Sequence, residues 1–366
     1  MSLLPGVPAP LFSAPSPVNP HFAFSSLGGR YILLIFLPEP SPVRDAALSE
    51  IAARSELLHD DRLLAFAVLP DEASFATAEQ TTHCLRWFFD PAGEIRALYR
   101  AQDADGGLAP LVVAIDPSLR ILGSAPLERV GQMLERLAAM GVPDDHAQTP
   151  LHAPVLIVPR ILDPGFCEEL IRVYEADGGA PSGVMQVHDG KTIGVFNEMK
   201  SRRDADIPEG SLRERLRDSI ARRLAPEVEK AFQFRATRIE RYNVACYDAA
   251  SGGWFRPHRD NTTPGTAHRK FAVSINLNEA FEGGDLRFPE FGSRTYRPPT
   301  GGAVVFSCSL LHEATPVTRG RRYATLPFLY DDEGARLRQA NLGTFGQGEP
   351  TPRPPSPRSD ASNRNP

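Results

Sequence analysis

Apolar and polar positions alternate along this chain in two different ways. Tyr31-Ile32-Leu33-Leu34-Ile35-Phe36-Leu37 is an unbroken apolar run preceded by Gly28-Gly29, and Leu63 to Leu69 is a second. Leu111 to Ile115 is a third, closed by Asp116-Pro117. Continuous apolar runs of this length predict strands buried on both faces. Between them, Ala47, Leu48, Ile51, Ala52 and Leu58 recur at helical spacing, as do Leu127, Val130, Leu134 and Leu137. Strands alternating with helices predict a three-layer α/β domain over residues 1–140. Residues 141–154 are polar, proline-rich and aperiodic, and read as a linker. His146 and His152 fall within it and read as solvated residues rather than metal ligands.

From Val155 the pattern changes. Asp163-Pro164 opens a helix with an apolar stripe of Cys167, Leu170, Ile171 and Tyr174. A second helix is predicted from Ser211 to Phe232, on Leu212, Leu216, Ile220, Leu224 and Val228. The period then falls to two, over Arg238–Tyr247, Phe271–Leu277, Asp285–Phe288, Ala303–Ser309 and Arg322–Tyr330. Helices followed by antiparallel strands predict an α+β domain over residues 155–332, a jelly roll backed by helices. Residues 346–366, rich in Pro, Ser, Arg and Asn, are predicted to be a disordered tail.

Composition narrows the function classes. Hydrophobic residues make up 42% and charged residues 23% of the 366, with a formal net charge of -5. No clustered basic face indicates nucleic acid as a partner. No apolar run reaches the ~20 residues of a membrane span. Met1–Pro20 lacks the basic start of a signal peptide. Cys84, Cys167, Cys246 and Cys308 are widely spaced, which fits neither a zinc knuckle nor a disulfide scaffold. The expected location is cytoplasmic.

The chemistry gathers around Trp254-Phe255-Arg256-Pro257-His258-Arg259-Asp260-Asn261. On an extended strand His258 and Asp260 would face the same side. With His312 from Leu310-Leu311-His312-Glu313, they make a two-His, one-carboxylate set that suits Fe(II) with open positions opposite. A His-x-Asp alone is more often a solvated strand face. Arg322 stands ten residues after His312 and offers a bidentate fork for a carboxylate, and alternation allows only one of Arg321 and Arg322 into a pocket. His268 reads as solvent-exposed, and His188 as a hairpin-turn residue. Trp254 is open between pocket wall and core. Arg202-Arg203-Asp204 is open between a surface ion pair and an anchor for a substrate loop.

Several segments together carry a family resemblance. They are Val244-Ala245-Cys246-Tyr247, Phe255 to Asn261, Val273 to Asn278, Phe281-Glu282-Gly283-Gly284-Asp285-Leu286-Arg287-Phe288, Pro298 to Phe306 and His312 to Tyr323. With them, residues 155–332 resemble the prolyl 4-hydroxylase branch of the 2-oxoglutarate- and Fe(II)-dependent dioxygenases. The resemblance implies a double-stranded β-helix, with Fe(II) held by His258, Asp260 and His312. It implies 2-oxoglutarate chelating through its C1 carboxylate and keto oxygen, O2 at the remaining position, and Arg322 on the distal carboxylate. Tyr247 matches a family tyrosine near the cosubstrate. Asn276 stands where some relatives carry another, which is a departure from the pattern. Relatives commonly use ascorbate. A prolyl residue of a protein or peptide is the leading substrate, with a small molecule as the alternative.

Residues 1–140 resemble the thioredoxin-like fold of peroxiredoxins, on Pro8-Ala9-Pro10-Leu11-Phe12, Arg30 to Phe36, Phe88 to Glu94 and Ala109 to Asp116. The peroxidatic cysteine is missing, because the loop after the first long strand reads Leu37-Pro38-Glu39-Pro40-Ser41-Pro42-Val43-Arg44. Such a domain is expected to recruit a protein substrate or a second copy of the chain, as a homodimer. Two other functions compete with the dioxygenase: a redox adaptor acting through Cys84, and a non-catalytic interaction module.

Overall fold

The computed structural model describes residues 3–17, 19–70, 72, 75, 85–102 and 109–346. Cys84 and residues 347–366 of the expected tail lie outside the described residues. The chain divides into two units. The first is Met1–Pro154 with Arg287–Thr295, and the second is Val155–Leu286 with the chain from Tyr296 onward. Residues 141–154 group with the first unit and include a 3-10 turn at Pro143–Asp145.

The first unit is built on a five-stranded sheet. Its order is Arg86–Phe89, Leu63–Leu69, Tyr31–Phe36, Leu111–Ile115, Ile121–Pro126. The first three strands are parallel, Leu111–Ile115 runs antiparallel to them, and Ile121–Pro126 pairs antiparallel with Leu111–Ile115 and so returns to the first direction. Every residue of Tyr31–Phe36 is buried. Tyr31, Leu33 and Ile35 pack in one core with the helices Pro42–Ala52 and Val130–Ala139. Ile32, Leu34 and Phe36 pack in another with Phe24, Leu27, Ile95 and Tyr99. Burial on both faces accounts for the continuous apolar run, since each such side chain gains roughly 1.5–3 kcal/mol by leaving water.

In the second unit Asp163 caps the helix Pro164–Asp177, its Oδ1 accepting from the Phe166 N–H at 2.9 Å. The predicted Ser211–Phe232 helix is interrupted. Ser211–Ser219 and Ala225–Phe232 are α-helical, and Ile220–Leu224 is a π turn. Pro226 is the cause: it has no N–H to donate to the preceding turn and its ring needs room there. Two predicted strands are also broken. Arg238–Tyr247 splits into Arg238–Glu240 and Asn243–Asp248, with Arg241 left-handed at φ 74°. Arg322–Tyr330 splits into Val317–Thr325 and Phe328–Tyr330 around Pro327, which has no ladder donor. A helix absent from the prediction, Asp332–Ala340, follows, capped by Asp331.

The strands form a large antiparallel sheet and a smaller one of order Phe255–His258, His312–Ala314, Leu286–Arg287, Thr295–Tyr296. Alternation sorts the large sheet. Val244, Cys246, Val273, Ile275, Val305 and Tyr323 face the helices in one core. Ala245 and Tyr247 face the other way, in a cluster with Phe281, Ala314 and Val317. The pocket lies on that second side.

Candidate metal centre and its pocket

His258 ends one strand of the smaller sheet and His312 begins its neighbour, directly opposite it in the antiparallel register. Their ring centroids are 4.3 Å apart. Asp260 lies beyond the strand end, in a turn. It therefore reaches the histidines through the turn, fixed by its N–H donating to the Cys308 carbonyl at 3.0 Å, and not through strand alternation. Oδ1 of Asp260 is 3.6 Å from His258 Nε2, and Oδ2 is 3.3 Å from His312 Nε2. One ligand atom from each of the three residues falls within 4.8 Å of the others.

The ring orientations suit metal ligation. Nδ1 of His258 lies 2.7 Å from the Arg256 carbonyl, and Nδ1 of His312 lies 3.0 Å from the Leu310 carbonyl. A carbonyl only accepts, so each Nδ1 carries the proton and each Nε2 turns a lone pair toward Asp260. Burial, then the neighbouring His312, lowers the His258 pKa to about 4, which keeps it neutral. Donors about 2.1 Å from a shared ion and at right angles would be roughly 3 Å apart. The three residues fit one ion with little adjustment.

Arg322 is placed directly across from Tyr247 and is buried, with 2% exposure. Its Nε donates to Asn276 Oδ1 at 3.1 Å and its Nη2 to Ser274 Oγ at 2.7 Å, and the guanidinium lies 5.4 Å from the Tyr247 ring centroid. Asn276 also donates to the Pro298 carbonyl, so it holds Arg322 in place. Arg321 is outside, paired with Asp248 at 2.7 Å. Arg322 and Ser274 line a cleft with His258, Asp260, His312 and Tyr247, of about 490 Å³ counting its open mouth.

Two further lining residues are Arg202, which the sequence left open between a surface ion pair and a substrate-loop anchor, and Arg241, which had no assigned role. Arg202 Nη2 is 2.7 Å and Arg241 Nη2 2.5 Å from the same oxygen, Oδ2 of Asp204. Arg202 thus lines the cleft and pairs with Asp204 out of solvent, which is not the surface ion pair, while Arg203 is exposed. Phe255 stacks on the His258 ring at 3.4 Å, and Lys200 Nζ lies 4.7 Å from the Phe255 ring.

His268 departs from its expected exposure. It is 1% exposed, with Nε2 2.6 Å from Glu240 Oε2. Arg269 donates to the same carboxylate at 2.8 Å and to the Asp260 carbonyl at 3.4 Å. The polar loop sequence conceals a partner 28 residues upstream. Trp254 is half-buried, donates to the Glu198 carbonyl at 3.1 Å and lines neither core nor cleft. His188 ends the first strand of a hairpin whose turn, Asp189-Gly190, has φ of 48° and 73°. His146 is half-buried near Ser118 Oγ, and His152 is exposed.

Residues 242–330 match the 2OG-Fe(II) oxygenase superfamily. A PKHD-type hydroxylase of Synechococcus sp. (strain JA-2-3B'a(2-13)) is 28% identical over 150 residues, which are 38% of this chain and 66% of that relative. A PKHD-type hydroxylase of Cupriavidus metallidurans is 34% identical over 98 residues, 23% of this chain and 43% of the relative. Among solved structures, a prolyl hydroxylase from Trichoplax adhaerens, in complex with a hypoxia inducible factor oxygen degradation domain peptide, has a TM-score of 0.42 at 20% identity. That comparison covers 56% of this chain and 93% of the other.

Proposed function

We propose that this protein is an Fe(II)- and 2-oxoglutarate-dependent dioxygenase that hydroxylates a C–H bond, with a prolyl residue of a protein or peptide as the leading substrate. The observation that carries this is one cleft containing both the His258–Asp260–His312 cluster and the buried guanidinium of Arg322. The match over residues 242–330 contains all four residues. Bound together, the ion and the cosubstrate supply the oxidation: one oxygen atom of O2 enters the C–H bond, and the other goes to the succinate formed as 2-oxoglutarate loses CO2.

The chain's own part is binding and orientation. His258, Asp260 and His312 hold the ion on one side and leave the opposite side to ligands. Arg322, fixed by Ser274 and Asn276, presents its fork to the distal carboxylate of the cosubstrate. Tyr247 and Arg322 form the wall there, so Asn276 acts on the cosubstrate through Arg322. Phe255 and Phe306, stacked or tilted on the two histidines, keep water from that side of the imidazoles. Ascorbate fits as the reductant that keeps the iron ferrous.

For the first unit the thioredoxin-like reading is supported by three parallel strands joined to an antiparallel pair, with helices on the faces. The helix after the first long strand begins at Pro42, capped by Ser41, with no thiol in that loop. Its role in this reading is to recruit a protein substrate or a second copy. Among the described residues no helix is long and apolar enough to cross a membrane, and the cytoplasm is the proposed location.

The test is succinate formation with Fe(II), 2-oxoglutarate and O2. Release by the wild type that is lost in His312→Ala supports the proposal, while equal release by both, or none by either, contradicts it.

A further inference from the structure

The charges around the cleft constrain the substrate. Among the described residues lining the cleft the only carboxylate is Asp260, against the three guanidiniums of Arg202, Arg241 and Arg322. On the dioxygenase reading, the two charges of the ferrous ion and that of Arg322 are matched by Asp260 and the two carboxylates of 2-oxoglutarate. Arg202 and Arg241 are left over. They share the single carboxylate of Asp204, so one positive charge remains before Lys200 is considered.

The surplus sits where water screens it poorly. The side chains of Arg202, Asp204 and Arg241 are 3%, 14% and 28% exposed. Arg202 Nε is buried with no partner among the protein atoms, although a guanidinium in a dry site normally uses its donors. Lys200 adds to the crowding through Ser182, whose Oγ accepts from Lys200 Nζ at 2.7 Å and donates to Asp204 Oδ2 at 2.6 Å. Burial first, and then Arg202 and Arg241, push the Lys200 pKa well below its ordinary value. The backbone is also strained to place one of these charges. Arg241 is left-handed at φ 74°, in a conformation that costs a non-glycine residue free energy, and its guanidinium reaches the cleft from there.

We infer that Arg202 and Arg241 form a second anion subsite beside the metal centre, and that the primary substrate presents a carboxylate to it. The inference rests on the dioxygenase reading for its charge balance and deepens it by naming the substrate's chemistry. A carboxylate accepts two parallel bonds from a guanidinium fork and removes the surplus charge as it binds. It can come from the substrate's own terminal acid or from an acidic side chain next to the hydroxylated residue.

The test is calorimetry under argon on the full chain loaded with Fe(II) and 2-oxoglutarate. The probes are N-acetylglycine, its neutral amide, and N-acetylaspartic acid α-amide, which carries the carboxylate on its side chain. At least one acid is expected to bind tenfold or more tightly than the neutral amide. Arg241→Gln is expected to abolish that preference, and Arg241→Lys, which keeps the charge but not the fork, to restore part of it. The tighter of the two acids separates a terminal carboxylate from a side-chain one. Equal binding of acids and amide, no binding of any probe at millimolar concentration, or a preference that survives Arg241→Gln overturns the inference. Failure of the protein to take up 2-oxoglutarate in a metal-dependent way contradicts the underlying reading instead.

Discussion

Arg322 is the residue whose surroundings set the sharpest expectation. It is buried, and its two protein partners are neutral, Ser274 and Asn276. On the proposed function, Arg322→Gln would leave the distal carboxylate of 2-oxoglutarate unpaired in a dry site, a loss of roughly 2–5 kcal/mol. Titration of 2-oxoglutarate should show at least a tenfold weaker affinity. Arg322→Lys should recover only part of it, because an ammonium is a point charge without the planar fork. Glu240 carries a separate prediction on pH. Burial would raise its pKa, but His268 and Arg269 overcome this and lower it from 4.5 to about 2. The folded carboxyl ionises more readily than the unfolded one. The resulting stabilisation, about 3 kcal/mol, is therefore complete above pH ~4.5 and is lost as pH falls from there toward ~2. Denaturant unfolding should show Glu240→Gln less stable than wild type at neutral pH, with the gap closing over that acid range. A gap independent of pH would contradict the ion-pair account. At this scale the gathering of His258, Asp260, His312 and Arg322 in one cleft was legible from their residue types and the segments around them, although Asp260 arrives through a turn and not by alternation. The segment with Arg202 was left open between two readings, and Arg241 and Ser274 were not legible, since their partners lie tens of residues away. His268 was misread for the same reason.

At the scale of elements, alternation does most of the sorting. A period of two sends Cys246 and Tyr323 to the helices, and Tyr247 and Arg322 to the cleft. The sequence pattern therefore located these strands, but not their ends, because each end depends on one residue's backbone. Arg241, Pro327 and Pro226 break elements that hydrophobic periodicity alone would run through. Gly283 is another such position. Its φ is +70°, and a Cβ there would lie 2.1 Å from the Pro316 carbonyl oxygen. Gly283→Ala combines left-handed strain with a backbone clash and should cost about 2–4 kcal/mol, measured by urea unfolding. A cost below ~0.5 kcal/mol would mean that this turn rearranges freely. Gly284 is the more informative neighbour for function, since a Cβ there would meet Arg322 Cδ at 3.2 Å.

At the scale of the whole molecule, the chain passes between its two units at three points, after Pro154, after Leu286 and after Thr295. The change of hydrophobic period near Val155 was visible in the sequence. The return of Arg287–Thr295 to the first unit was not, because nine residues are too short to carry a period of their own. Cutting after Pro154 leaves that stretch without the unit it belongs to. A fragment of residues 155–346 is therefore expected to melt well below the full chain, by circular dichroism; an equal melting temperature would show that the second unit needs nothing from residues 1–154. The central claim concerns the second unit's cleft, and it is tested most directly by titrating Fe(II) and 2-oxoglutarate into the full chain without oxygen. The account predicts a weak visible charge-transfer band that needs both additions and is absent in His258→Ala. No band in the wild type, or an undiminished band in His258→Ala, would contradict it.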